Sequence, residues 1–283
     1  MVEHDHFRSI SLSRHFRGDD ENEDSTSEDH APGEFSPRAL ALGILLCLAV
    51  AGAARAQNPL LPGIGAHDHR VAVDSGAKPW SAIGRVNRRI GGYCTGTVVD
   101  SRRVLTAAHC LWNARTGTWL PAQSLHFVAG YGRETFLADA DITRFVVAPG
   151  YDSAKPATLA GNLEHDWAVL TLDRDIGAAV GTVKLASSSD RQRDLAGTRL
   201  VHAGYSQDKA HVLTLHDGCR VLWGPPESPV LRHDCDATKG DSGSPILIRE
   251  DGAIRLLAVH VATALRNGKA TGLAVLAPTE LPK

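Results

Sequence analysis

Short apolar runs rich in β-branched residues, each closed within a few positions by Gly, Asp or Asn, recur through the body of this chain. Residues 81–86, 93–99, 103–107, 125–129, 142–148, 167–172, 199–203, 212–215, 219–223, 244–248, 256–261 and 272–275 all have strand length. A helix needs apolar residues every third or fourth position over ten or more residues. No such stretch appears outside the apolar run at 39–54. The pattern predicts an all-β fold with hairpin connections and no fixed-length repeat.

The run at 39–54 carries no charge and ends in Ala54-Arg55-Ala56, a small-x-small pattern before Gln57. That is the anatomy of a secretory signal peptide over 39–56. It is short for a membrane span, which needs about 20 apolar residues. Residues 1–38 are polar and acidic between Asp19 and Asp29, and are expected to be a disordered extension. A usual n-region is short and basic, so three explanations stay open: a start placed too far upstream, a cytosolic tail, or an uncleaved anchor that would tether the protein to a membrane. Residues 57–70, rich in Pro, Gly, His and Asp, read as a linker or short pro-segment. Residues 71–283 are then the main domain.

Net charge is −2, so no nucleic-acid partner is implied. No paired Cys-x-x-Cys or His-Glu-x-x-His spacing occurs, and neither a metal nor another cofactor is expected. Cys47 lies in the apolar run and would leave with it. Cys94, Cys110, Cys219 and Cys235 remain, and four cysteines allow three pairings. Behind an export signal they favour bridges and an oxidising compartment, secreted or periplasmic.

Chemistry is suggested by Gly240-Asp241-Ser242-Gly243-Ser244-Pro245. A serine hydroxyl needs a base to take its proton and donors to hold the oxyanion that follows. The glycines allow a sharp turn and a close substrate, and the amides of Gly240 and Ser242 are candidates for the oxyanion hole. Upstream stand Leu105-Thr106-Ala107-Ala108-His109-Cys110 and His165-Asp166-Trp167-Ala168-Val169-Leu170. Taken singly, each residue has an ordinary explanation. The chain holds 14 histidines, a lone Asp caps turns, and a lone Ser fills loops. Together they supply a base, His109, an orienting carboxylate, Asp166, and a nucleophile, Ser242. His165 reads as a strand-edge residue and not as the base.

These three strings resemble those of the trypsin-like (chymotrypsin-fold) serine endopeptidases, over roughly residues 79–275. The resemblance implies two packed six-stranded antiparallel barrels, about 79–178 and 183–277, with the active site in the cleft between them. It implies a Cys94–Cys110 bridge beside His109, which leaves Cys219–Cys235 to brace the approach to Ser242. It also implies a protein or peptide substrate and a monomer.

Two residues bear on specificity. Asp236, six before Ser242, occupies the position that lies at the base of the primary pocket in trypsin-like enzymes, where a carboxylate attracts Arg or Lys. The string 235–242 looks more like the bacterial glutamyl-endopeptidase branch, which places a histidine in the pocket wall, and His260 stands at a comparable distance after the serine. The two cues point to opposite substrates. Arg70-Val71 is a candidate activation cut, because in this family a new amine terminus pairs with the acid before the catalytic serine, here Asp241. Two function classes follow: an exported serine endopeptidase working through an acyl-enzyme, or a catalytically silent homologue that uses the fold for binding.

Overall fold

Two hairpin-built sheets, each rolled shut, account for nearly all the strand residues. The computed structural model describes residues 61–65, 67–156, 158, 160–250, 252–266 and 269–282, all within one unit, Gln57–Lys283. The expected extension at 1–38, the signal peptide at 39–56 and the first residues of the linker lie outside the described residues.

In chain order the strands are β1 (Val71–Ala72), β2 (Ile83–Arg88), β3 (Tyr93–Asp100), β4 (Arg103–Thr106), β5 (Trp112–Asn113), β6 (Thr118–Trp119), β7 (Leu125–Ala129), β8 (Ala138–Val147), β9 (Ala168–Leu172) and β10 (Lys184–Leu185). They continue with β11 (Arg199–Gly204), β12 (Thr214–Trp223), β13 (Val230–His233), β14 (Pro245–Glu250), β15 (Ala253–Arg266) and β16 (Lys269–Leu276). The first barrel runs β2-β3-β4-β9-β8-β7 and closes where β2 pairs with β7, Gly84 opposite Ala129 through Arg88 opposite Leu125. The second runs β12-β11-β14-β15-β16-β13 and closes where Val221 of β12 faces His233 of β13. All pairs within the barrels are antiparallel. β1 adds to β12, and the short β10 lies parallel to β15. The two six-stranded barrels expected from the family resemblance are therefore present.

Barrel closure removes the free edges that make open sheets aggregate. It also gives each strand one face for the barrel interior. Val86, Val104, Phe127, Ile142, Leu170 and Leu172 fill the first barrel, and Leu200, Leu231, Ile246, Ile248 and Leu257 the second. β3 departs from simple alternation: six consecutive residues, Cys94 to Val99, are buried. Its outer face is covered too, because Thr95 donates its amide to the Ser242 carbonyl at 2.8 Å and the Val98 carbonyl accepts from Val183 at 2.9 Å. This strand is where the second barrel and the inter-barrel crossover seat.

Some boundaries differ from the sequence reading. The run expected from 81 begins as a 3-10 turn, Trp80–Ala82, and β15 extends to Arg266 because it zips against β16. His165 lies in a 3-10 turn, Leu163–His165, and not at a strand edge. Both bridges form, Cys94–Cys110 and Cys219–Cys235. The described part of 57–70, read as a linker or short pro-segment, packs against the second barrel: Arg70 is buried, and Gly65 and His69 donate to Asp236.

Candidate active site

Each of the three strings ends an element where the barrels meet. Thr106 closes β4, and a 3-10 turn, Ala108–Leu111, follows and carries His109. The 3-10 turn at Leu163–His165 delivers Asp166 just before β9. The loop ahead of β14 carries Ser242. β4 and β9 are paired, Thr106 opposite Ala168, so His109 and Asp166 emerge at the same end of the first barrel.

Asp166 is fully buried and holds His109 at two points. Its Oδ1 accepts the His109 amide at 2.9 Å, and its Oδ2 meets Nδ1 at 2.7 Å. A carboxylate only accepts, so Nδ1 carries the hydrogen and Nε2 offers its lone pair. Cys110 Sγ lies 3.9 Å from His109 Nε2 and 3.9 Å from the Ser242 carbonyl oxygen, so the bridge with Cys94 sits against both residues. Among the described residues no hydrogen bond joins the Ser242 hydroxyl to His109. Such contacts commonly tighten only when substrate arrives.

Two glycines make the loop possible. Gly240 has φ +94° and Gly243 φ +84°, a region that side chains rarely adopt. A Cβ on Gly243 would meet the Thr95 carbonyl at 2.1 Å, so the second barrel approaches the first backbone to backbone there. The Lys239 carbonyl is turned to the Gln207 amide at 2.6 Å. In a planar trans peptide the N–H points opposite to the C=O, so the Gly240 N–H faces away from Gln207. Among the described residues neither the Gly240 nor the Ser242 amide has a protein acceptor.

Thr95, which sequence reading did not single out, ties the barrels together. Its hydroxyl donates to the Gly240 carbonyl at 3.0 Å and accepts the Tyr205 amide at 3.1 Å, while its carbonyl accepts from the Thr106 hydroxyl at 2.7 Å. Nothing local marks it: a threonine in a strand is ordinary, and its partners are 110 and 145 residues away.

Asp241 is fully buried. Its Oδ2 accepts from the Ser206 hydroxyl at 2.7 Å and the Thr238 amide at 2.8 Å. Burial pushes its acid up to about 7. The candidate cut at Arg70-Val71 is not presented to a protease in this fold. The Arg70 side chain is 1 % exposed and is clamped between Asp68 and Asp208.

Asp236 is buried and already engaged. Gly65 donates its amide to Oδ1 at 3.0 Å, and His69 donates its amide and Nδ1 to Oδ2 at 2.8 and 2.9 Å. The Asp236 amide donates to His216 Nδ1 at 2.9 Å, so that nitrogen is unprotonated, and burial lowers the His216 pKa. The three side chains do not make a metal site. The His69 and His216 rings stack at 5.0 Å with planes 21° apart, so their in-plane lone pairs do not converge.

His260 is buried in β15 beside His233 and His202. The Cys235 amide donates to His233 Nδ1 at 3.2 Å, which puts the His233 hydrogen on Nε2. That Nε2 lies 3.1 Å from His260 Nδ1 and donates to it. His260 therefore carries its own hydrogen on Nε2. Burial keeps all three rings neutral, and that of His260 is pushed down to about 3.

Comparisons with known proteins bear on family and fold. The trypsin family model matches residues 69–279. A glutamyl endopeptidase of Bacillus licheniformis is 26% identical over 194 residues, 68% of this chain and 57% of that protein. CLIP domain-containing serine protease B4 of Anopheles gambiae is 27% identical over 220 residues, 64% of this chain and 58% of that protein. The chain thus spans little more than half the length of these two relatives. Among solved structures, a Glu endopeptidase in complex with MPD superposes with a TM-score of 0.62 at 23% identity, over 76% of this chain and 95% of that one. The protease Anisep from Arthrobacter nicotinovorans follows at 0.56 and 19%, over 73% and 93%. At these identities the structural likeness speaks to fold.

Proposed function

The chain belongs to the trypsin family, and from that premise we propose that it is an exported serine endopeptidase that cuts proteins after acidic side chains. The observation that carries the hydrolase reading is the two-point grip of Asp166 on His109. With its Nδ1 hydrogen fixed, His109 presents Nε2 as the base for Ser242 and later returns the proton to the leaving amine. Ser242 Oγ attacks the carbonyl carbon and forms an acyl-enzyme, which water then hydrolyses by the same route. The unengaged amides of Gly240 and Ser242 stabilise the oxyanion at each stage.

Two features favour an acidic side chain over a basic one. Three protein donors already engage both oxygens of Asp236. The chain of amide, His233 and His260 leaves a neutral, fixed Nε2–H donor on His260 for a carboxylate. Similarity to the Bacillus glutamyl endopeptidase points the same way. Export is supported by the two bridges, which persist in oxidising compartments, and by the apolar run at 39–56. Among the described residues no helix is long and apolar enough to cross a membrane. We further propose that the enzyme acts as a monomer.

A fluorophosphonate probe and a peptide library test this reading. Ser242 should be labelled, Ser242→Ala should not, and cleavage should fall after Glu or Asp. A folded enzyme that resists the probe overturns the hydrolase reading. A labelled enzyme that cuts after Lys or Arg overturns the specificity.

A further inference from the structure

The segment before the first barrel packs against the second barrel, on the walls that flank Ser242. The peptide walls that lead away from Ser242 lie side by side. The Thr263 hydroxyl donates to the Ala237 carbonyl at 3.1 Å. Near the serine, the Gly243 amide donates to the His260 carbonyl and the His260 amide to the Ser244 carbonyl, both at 2.8 Å. Residues 63–65 and 67–69 lie at the far end of these walls. Gly63 is wedged between them: a Cβ built there would sit 1.8 Å from the Ala237 carbonyl and 2.7 Å from Thr263 Cγ2. Its own carbonyl accepts the Ala237 amide at 3.2 Å. Beyond it, Gly65 and His69 place three donors on Asp236.

We propose that residues 63–65 and 67–72 are a permanent wall of the substrate site, and that His69, by occupying Asp236, is the positioning residue that excludes cationic substrate side chains. A carboxylate at the end of a crevice is a natural seat for a guanidinium or ammonium group. Here Oδ2 already holds the His69 amide and ring, and Oδ1 holds Gly65. A substrate cation would find Oδ2 filled and only one acceptor site left on Oδ1.

The strap is anchored against removal. Arg70 forks onto Asp208 at 2.9 and 2.7 Å and onto Asp68 at 2.9 and 3.0 Å, and Lys209 reaches Asp68 at 2.7 Å. Val71 and Ala72 then join β12. A cut at Arg70-Val71 would sever the strap from β1 and leave it held to Asp236 by the side-chain and backbone contacts of residues 63–65 and 67–70 alone. On this inference the working enzyme keeps its strap and begins upstream of Gly63.

The proposal rests on the endopeptidase reading, and the test separates the two. Secreted enzyme is titrated with fluorophosphonate, and kcat/KM per labelled site is measured on paired peptides that differ only in Glu or Lys before the cut. His69→Ala should raise the Lys/Glu ratio at least tenfold, His69→Gln should stay near wild type because it keeps a donor, and adding Asp236→Asn to His69→Ala should cancel the gain. The mass of labelled wild type should include residues 63–72. A ratio within twofold of wild type in labelled His69→Ala, or labelled enzyme starting at Val71, overturns the proposal and leaves the hydrolase reading standing. If His69→Ala does not label, the wild-type mass decides alone. Wild type that never labels overturns both.

Discussion

Asp166 receives both the backbone amide and the ring Nδ1 of a single residue, His109, at 2.9 and 2.7 Å. One carboxylate thus fixes the position of the turn and the orientation and tautomer of its imidazole. The two contacts are separable by mutation, because only the ring contact bears on proton transfer.

Asp166→Asn keeps the size of the side chain but lets an amide group face Nδ1. The ring then favours the hydrogen on Nε2 and loses its lone pair toward Ser242. kcat should fall about 10⁴-fold with KM little changed, as in the worked triad of this family. A loss under tenfold, measured on enzyme with an unchanged melting temperature, would contradict the assignment.

Thr95→Val keeps the shape of a strand residue and deletes the hydroxyl that links the barrels. The Gly240 carbonyl and Tyr205 amide would each lose a buried partner. Stability should drop by roughly 2–6 kcal/mol, from about 1–3 per orphaned group. Because Gly240 also carries one of the proposed oxyanion amides, a shift of its carbonyl should lower kcat as well. Urea unfolding gives the first quantity and steady-state kinetics the second.

Acid should destabilise the fold, and the sign follows from three residues against one. His202, His233 and His260 are held neutral by burial, while in the unfolded chain they take protons below about pH 6.5. Their contribution is complete above that pH and is lost as pH falls toward about 3. Asp241 acts the other way. It keeps its proton up to about pH 7 in the fold, so its contribution is present at low pH and is lost as pH rises from about 4 to 7. The histidines should win, giving a lower urea midpoint at pH 4.5 than at pH 7. Asp241→Asn should steepen that fall by up to one proton, about 1.4 kcal/mol per pH unit. A midpoint that does not move with pH would refute the buried neutral histidines.

Replacing Cys219 and Cys235 by alanine releases a loop with a sequence separation of 16. The chain-entropy account gives a loss of about 3 kcal/mol. The His233 contact with the Cys235 amide lies on the same loop, so the KM for acidic substrates should rise too. Mutating Cys94 and Cys110 instead should act mainly on kcat, since that bridge lies against His109 and Ser242.

The strands, the cysteine set and the three strings around His109, Asp166 and Ser242 were legible in the chain because each is written locally. β-branched alternation selects extended backbone, glycine permits the turn at Gly240 and Gly243, and a string such as Thr106-Ala107-Ala108-His109 reads without its partners. The pairing of Asp236 with His69, the relay through His233 to His260 and the bridging role of Thr95 could not be read that way. Those groups are separated by 167, 27 and up to 145 residues. Their hydrogen bonds depend on how two closed barrels and a strap pack, and hydrophobic periodicity says which face of a strand is buried without naming what lies across from it. Asp236 shows the difference most plainly: the sequence supplied a carboxylate six residues before the candidate serine, and only the folded chain determined that three protein donors already engage it.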